Sequence, residues 1–216
     1  MSVSTDNFLK AVYKIQVEEM ENATSTRLAN HLDISNAAIT DMAKNLAKKN
    51  LVHYKKYKAV ELTSEGKIRA LKIIRKHRLW ELFLMQVLNY SWYEVHQDAE
   101  MLEHQTSDLL LDRLYQFLGQ PAFDPHGEPI PDGQGKLPAS EDFLKLTDCI
   151  EGMEYKIVKI NPMTQDLALF FHENGFQPGK KLQVKKKYED LIEIVLEKIK
   201  MAIPRSVFGK LYVKPI

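Results

Sequence analysis

Apolar residues recur with helical period through the first half of the chain and with strand-like alternation through the last third. Phe8, Leu9, Val12, Tyr13, Ile15 and Val17 form one face of a first helix that Ser4 or Thr5 can cap, and Asn22-Ala23-Thr24-Ser25 ends it. A short helix through Leu28, Ala29 and Leu32, the polar turn Asp33-Ile34-Ser35-Asn36 and a third helix from Ala37 to about Lys49 follow. Two helices joined by so short a turn predict a helix-turn-helix, whose second helix enters the DNA major groove. Leu51–Tyr54 and Ala59–Leu62 read as two β-segments around Lys55-Lys56-Tyr57-Lys58, the pattern of a basic wing. Thr63-Ser64-Glu65-Gly66 is the capped start of a long helix reaching about Leu88. Ser91 can cap the next helix, and Leu109, Leu110, Leu111, Leu114, Phe117 and Leu118 give a third apolar helical surface ending near Gly119.

Five of the nine prolines and four of the nine glycines lie in residues 119–140, which predicts a linker. Beyond it, short strands are expected at Tyr155–Ile160, Lys181–Lys187, Ile192–Leu196 and from Ile199 through Val213 with a break at Pro204, interrupted by a helix near Thr164–Glu173. The expected fold is mainly α with a small β module: a winged helix-turn-helix domain (1–63), a helical dimerisation and metal-binding domain (64–119), the Pro/Gly-rich linker (120–140) and a C-terminal SH3-like β-barrel (141–216). The unshared apolar length of the middle helices predicts a homodimer, which paired winged helices need to read a two-fold DNA site.

The formal net charge of +1 hides an asymmetry. Residues 1–75 carry 13 Lys and Arg against 8 Asp and Glu, whereas residues 76–120 carry 3 against 7. A basic first third suits contact with phosphate, and an acidic middle third suits cation binding. Candidate DNA-contacting residues are Arg27, Ser35, Asn36, Ala37, Ala38, Thr40, Asp41 and Lys44, with Lys55, Lys56 and Lys58 on the wing and Lys48 and Lys49 reaching phosphates. Cys149 is the only cysteine, which excludes an intrachain disulfide framework and a thiolate zinc site. With no leader-like N-terminus and no apolar run long enough for a bilayer, the expected location is the cytoplasm, with no membrane partner.

The chemistry concentrates in His96-Gln97-Asp98-Ala99-Glu100-Met101-Leu102-Glu103-His104. On a helix, Glu100, Glu103 and His104 fall at i, i+3 and i+4 and leave one face, with His96 a turn further back. Carboxylate oxygens with an imidazole nitrogen suit a divalent cation such as Mn²⁺, Fe²⁺ or Zn²⁺. His77 and Glu81 form a second i, i+4 pair, and Asp124-Pro125-His126-Gly127 places another carboxylate beside an imidazole.

These features together resemble the diphtheria toxin repressor family. The resemblance covers essentially the whole chain and rests on Thr5–Tyr13, Arg75–Glu81, Val95–His104 and Asp124–Gly127. It implies a dimeric, metal-dependent DNA-binding transcriptional repressor of metal-uptake genes that binds operator DNA when Mn²⁺ or Fe²⁺ is abundant, and not an enzyme. It also implies a primary metal site at Glu100, Glu103 and His104 with a ligand from Asn7, and a secondary set among His77, Glu81, His96, Asp124, His126 and, from the barrel, Asp166. Family members of the iron type carry cysteine where Glu100 stands, so glutamate here leans to Mn²⁺, with Zn²⁺ or Co²⁺ able to substitute in vitro. Asn7 departs from the methionine or aspartate usual in the family. Lys10 stands where one manganese regulator has a glutamate, which argues against a closely spaced metal pair. Met163 falls where an acidic ligand is expected. No organic cofactor is implied. The competing readings are a winged-helix regulator sensing an organic ligand and a carboxylate-bridged di-metal oxidase; the latter needs Glu-x-x-His motifs, and the chain has none.

Overall fold

The computed structural model describes residues 2–91, 94–139, 143–161 and 164–216. Met163, singled out above, lies outside the described residues. The chain divides into two compact units: one made of residues up to His77 with Glu103–Thr106 and Pro131–Lys136, the other of Arg78–Leu102, Ser107–Ile130 and Leu137–Ile216.

In the first unit, α1 (Val3–Tyr13) buries Phe8, Leu9, Val12 and Tyr13 and runs on into a π-helical turn, Lys14–Glu18, around the buried Ile15. The helix starts earlier than expected. Ser2, rather than Ser4 or Thr5, is its N-cap, and the Ser2 side chain makes no capping bond to the backbone. Thr24 caps α2 (Ser25–Leu32) by accepting the Arg27 N–H at 3.3 Å, and Asp33 ends it in the left-handed region. Ser35 then accepts the Ala38 N–H at 3.2 Å and starts α3 (Asn36–Lys48). The left-handed Asp33 and the Ser35 cap thus make the turn between the helices, while Leu28, Ile39, Ala43 and Leu46 bury the inner faces.

The wing is shorter than the sequence pattern suggests. Strands β1 (Val52–His53) and β2 (Glu61–Leu62) pair antiparallel over two residues each. Its base is held by the Val60 N–H donating to Ala23 O at 3.0 Å and the Gln16 amide donating to Val60 O at 2.9 Å. Helix α4 (Ser64–Leu88) begins where Thr63 Oγ1 accepts the Gly66 N–H at 3.0 Å and donates to Asn50 O at 2.7 Å. A β-carbon at Gly66 would stand 1.9 Å from Leu51 O, so the helix can leave the wing in this direction only from a glycine.

In the second unit, the later part of α4 packs with α6 (Asp108–Phe117) through Leu79, Leu82, Leu111 and Leu114, joined by Ile130. Leu84 of α4 packs with Val95 and Ala99 of α5 (Val95–Gln105). Ahead of α5, the Glu94 carboxylate reaches back to the Ser91 N–H and hydroxyl, which anticipates the helix as a cap does. Within the Pro/Gly-rich segment, Phe123 and Pro129 form a β-bridge, and the Asp124 carboxylate accepts the N–H groups of His126 and Glu128 at 2.9 and 2.8 Å.

The β module is an antiparallel six-stranded sheet in the order β3-β8-β4-β5-β6-β7, built from β3 (Leu144–Lys145), β4 (Glu154–Ile160), β5 (Lys181–Lys187), β6 (Leu191–Leu196), β7 (Ile199–Pro204) and β8 (Leu211–Pro215). Helix α7 (Gln165–Glu173) follows β4. Alternate residues such as Ile192, Ile194 and Leu196 point inward, with Phe171 and Phe176 closing the core and Met85 of α4 packed against it. Among the described residues, no helix is long and apolar enough to cross a membrane.

Candidate metal centre and nucleic-acid surface

The last turn of α5 delivers Glu103, with no exposed surface, into the first unit. A bare carboxylate in such a place is costly, and it is satisfied from two elements. Lys10 Nζ, on the inner face of α1, lies 2.7 and 3.0 Å from its two oxygens, and His77 Nδ1, on α4, lies 2.7 Å from Oε2. Lys10 Nζ is also 3.3 Å from His77 Nδ1, so ammonium, imidazole and carboxylate form one buried triangle. Lys76 Nζ donates to Thr106 O at 2.6 Å and fixes the chain just after α5 to α4, while Arg69 grips Asp6 at 2.7 and 2.9 Å and fixes α1 to α4.

Beside this triangle, three buried polar atoms lack a hydrogen-bond partner: Asn7 Oδ1 and both ring nitrogens of His104. His104 Nε2 is 3.4 Å from Glu103 Oε1 without hydrogen-bond geometry. Asn7 precedes Lys10 by one turn of α1 and therefore shares its face. A buried imidazole that neither donates nor accepts forfeits about 1–3 kcal/mol for each unmet group. A cation taking a nitrogen lone pair, an amide oxygen and a carboxylate oxygen removes that deficit, so these residues fit a divalent metal of borderline hardness. Glu100, partly buried, precedes Glu103 by one turn along α5.

The secondary set is placed differently along the chain. Glu81, 4 % exposed, has Oε1 3.3 Å from His96 Nδ1 and 3.9 Å from His126 Nε2. Asp124 is drawn into its own turn: besides the two backbone N–H groups it lies 3.6 Å from Arg78 Nε, and burial pushes its carboxyl up to about 6, against the pull of His126 and Arg78. Glu128 pairs with Lys159 at 2.8 Å. His77, grouped with Glu81 by helical spacing, directs Nδ1 to Glu103. Asp166 is exposed in the first turn of α7.

On α3, Asn36, Ala37, Asp41 and Lys44 are exposed, Ala38 and Thr40 are half-buried, and Thr40 Oγ1 donates to Asn36 O at 2.9 Å. Arg27 is exposed and paired with Glu21 at 3.1 Å. Lys55, Lys56 and Lys58 are exposed around the tip of the wing, where Tyr57 is 89 % exposed. Sequence reasoning missed Asn45 and Tyr54, which with Asp41, Lys44, Ala47 and Lys48 line an open recess of about 690 Å³ along α3. Tyr54 reads as a strand residue by pattern, and only the turn of the chain after α3 brings it beside Lys48.

Residues 1–60 match the family described as iron dependent repressor, N-terminal DNA binding domain; residues 63–132 match iron dependent repressor, metal binding and dimerisation domain; and residues 144–215 match the FeoA domain. The diphtheria toxin repressor of Corynebacterium efficiens is 30% identical over 169 residues, 75% of this chain and 73% of its own length. The iron-dependent repressor IdeR of Mycobacterium tuberculosis is 28% identical over 193 residues, 84% of this chain and 83% of its own. A manganese-dependent transcriptional repressor solved in complex with manganese has a TM-score of 0.89 at 28% identity, covering 98% of this chain and 100% of the other. Winged N-terminal domain, helical middle, β-rich C-terminal domain and a relative 30% identical over three quarters of the chain agree, and the chain belongs to the diphtheria toxin repressor family.

Proposed function

We infer that this protein is a metal-dependent DNA-binding transcriptional repressor in metal-ion homeostasis, working by binding rather than turnover, as a homodimer in the cytoplasm. The observation that carries the reading is the pair of unpartnered buried groups, Asn7 Oδ1 and the His104 ring, beside the Glu103 carboxylate. Asn7, Glu103 and His104, with Glu100 one turn earlier on α5, are the proposed ligands of the primary site. Glu81, His96 and His126 are proposed for a secondary site, to which Asp124 contributes by shaping the turn that carries His126. The resident ion is proposed to be Mn²⁺, with Fe²⁺ the next choice, because three of the four primary ligands are oxygens and none is a thiolate.

Held by Asn7, Glu100, Glu103 and His104, a divalent metal would supply positive charge, and with it a partner for Asn7 Oδ1 and the His104 ring. Asn7 belongs to the helix that packs behind the helix-turn-helix, and Glu103 and His104 end a helix of the dimerisation segment. Holding Asn7, Glu103 and His104 together would steady α1 and, through it, the aim of α3. Two-fold pairing then presents two recognition helices at about 34 Å, one turn of duplex. Ser35, Asn36, Ala37, Thr40 and Asp41 face base edges, while Arg27, Lys44, Lys48 and the wing lysines hold phosphates. The test is selection of duplexes from a random pool in Mn²⁺, followed by affinity measurements on the selected duplex with the parent and with Glu103→Gln. The parent is expected to bind tightly only with metal, and Glu103→Gln to lose the metal response. A variant with an unchanged metal midpoint would remove Glu103 from the site.

A further inference from the structure

We propose that Lys10 is a tethered competitor for the cation at Glu103, and that its ammonium sets how much divalent metal the primary centre needs. The proposal deepens the function inferred above and rests on the reading of Glu103 and His104 as metal ligands. Lys10 is 5 % exposed, and its Nζ sits within 3.0 Å of both Glu103 oxygens and 3.3 Å from His77 Nδ1. A positive group held between a carboxylate and an imidazole, with water excluded, occupies the kind of position a metal ion occupies. Without metal, this ammonium neutralises a carboxylate that has no exposed surface of its own.

That arrangement has a consequence for metal binding. Glu103 has lone pairs enough for two partners, but a divalent ion and an ammonium on one carboxylate repel each other strongly where water is scarce. Either Lys10 stays and weakens the metal, or its flexible four-carbon stem swings out and its ion pair is lost. Both routes raise the metal concentration at which the site fills. The neutral Asn7 acts in the same direction, because it supplies an oxygen without a charge. Lys10 offsets the charge of Glu103 before metal arrives.

The experiment uses the full chain and its Lys10→Met, Lys10→Gln and Lys10→Arg variants. Mn²⁺ dissociation constants are measured by competition with a fluorescent chelator, and melting temperatures are recorded in excess chelator and in saturating Mn²⁺. Lys10→Met and Lys10→Gln are expected to bind Mn²⁺ at least ten-fold more tightly than the parent. They should melt lower than the parent in chelator and gain more from Mn²⁺. Lys10→Arg, which keeps the charge, should stay near the parent. Should Lys10→Met fail to fold without metal, Lys10→Gln carries the comparison. If Lys10 were only a prop between α1 and α5, the neutral variants would melt lower with unchanged or weaker Mn²⁺ binding, and that result overturns the proposal. A parent that binds no Mn²⁺ at all would instead overturn the reading of the site on which the proposal rests.

Discussion

Gly127 lies against the backbone of Val158 so closely that a β-carbon on it would stand 2.0 Å from the Val158 carbonyl oxygen. Its φ of +85° already excludes most side chains at low cost. On either side, His126 O accepts the Ile160 N–H at 2.8 Å and Glu128 pairs with Lys159. The turn carrying His126 is thereby seated on β4 of the barrel. Gly127→Ala is expected to lose at least about 2 kcal/mol in denaturant unfolding, since backbone strain and a clash add. Gly119→Ala, with φ +75° but nothing within 4 Å, should lose only about 1 kcal/mol. Equal losses would mean that strain alone, and not the seat on Val158, makes Gly127 necessary.

The wing lysines predict a salt effect. Replacing Lys55, Lys56 and Lys58 together with Gln should weaken binding to all duplexes alike and flatten the dependence of affinity on salt by up to about 0.9 in log–log slope per lost phosphate contact. Asn36→Ala or Thr40→Ala should instead change which duplexes are preferred and leave that slope intact. Fluorescence anisotropy over a salt series separates the two.

Much of this architecture is legible from residues one to four apart. Thr63 makes the cap its position suggests, because a cap needs only its own next turn, whereas Thr24 and Ser35, read from the sequence as a helix break and a polar turn, prove to cap as well. The π-helical turn at Lys14–Glu18 departs from a continuous pattern without any local mark such as Pro or Gly. Strand β3 was missed because two residues, Leu144 and Lys145, carry no periodicity and owe their state to pairing with β8. The same limit applies at the centre. His77 Nδ1 meets Glu103, and helical spacing has no access to a contact spanning 26 residues. The Lys10–Glu103 pair spans 93 residues and is equally hidden.

Helix α6 leaves Leu109 70 % and Leu110 46 % exposed, more apolar surface than a lone helix face usually shows to water. We expect this face to be covered in the dimer. Leu109→Glu with Leu110→Glu should give a monomer by light scattering at micromolar concentration, with circular dichroism unchanged. A dimer that persists would place the interface elsewhere.

Burial pushes the Cys149 thiol up to about 11, above its ordinary value of 9.0. The native state therefore disfavours the thiolate, and unfolding releases a thiol that ionises at lower pH. This contribution to stability is absent below about pH 9 and turns unfavourable as pH rises from there toward 11. At pH 8 the thiol should resist iodoacetamide in the folded protein and react readily in denaturant. Rapid labelling of the folded chain would contradict the buried position.

The affinity of one selected duplex, measured in saturating Mn²⁺ and again in excess chelator at fixed salt, tests the metal switch most directly. Moving the DNA-competent state from rare to dominant requires several kcal/mol from the metal, so binding should be at least about 100-fold tighter with Mn²⁺. Equal affinity in the two conditions would show that Asn7, Glu103 and His104 do not govern the reading of DNA.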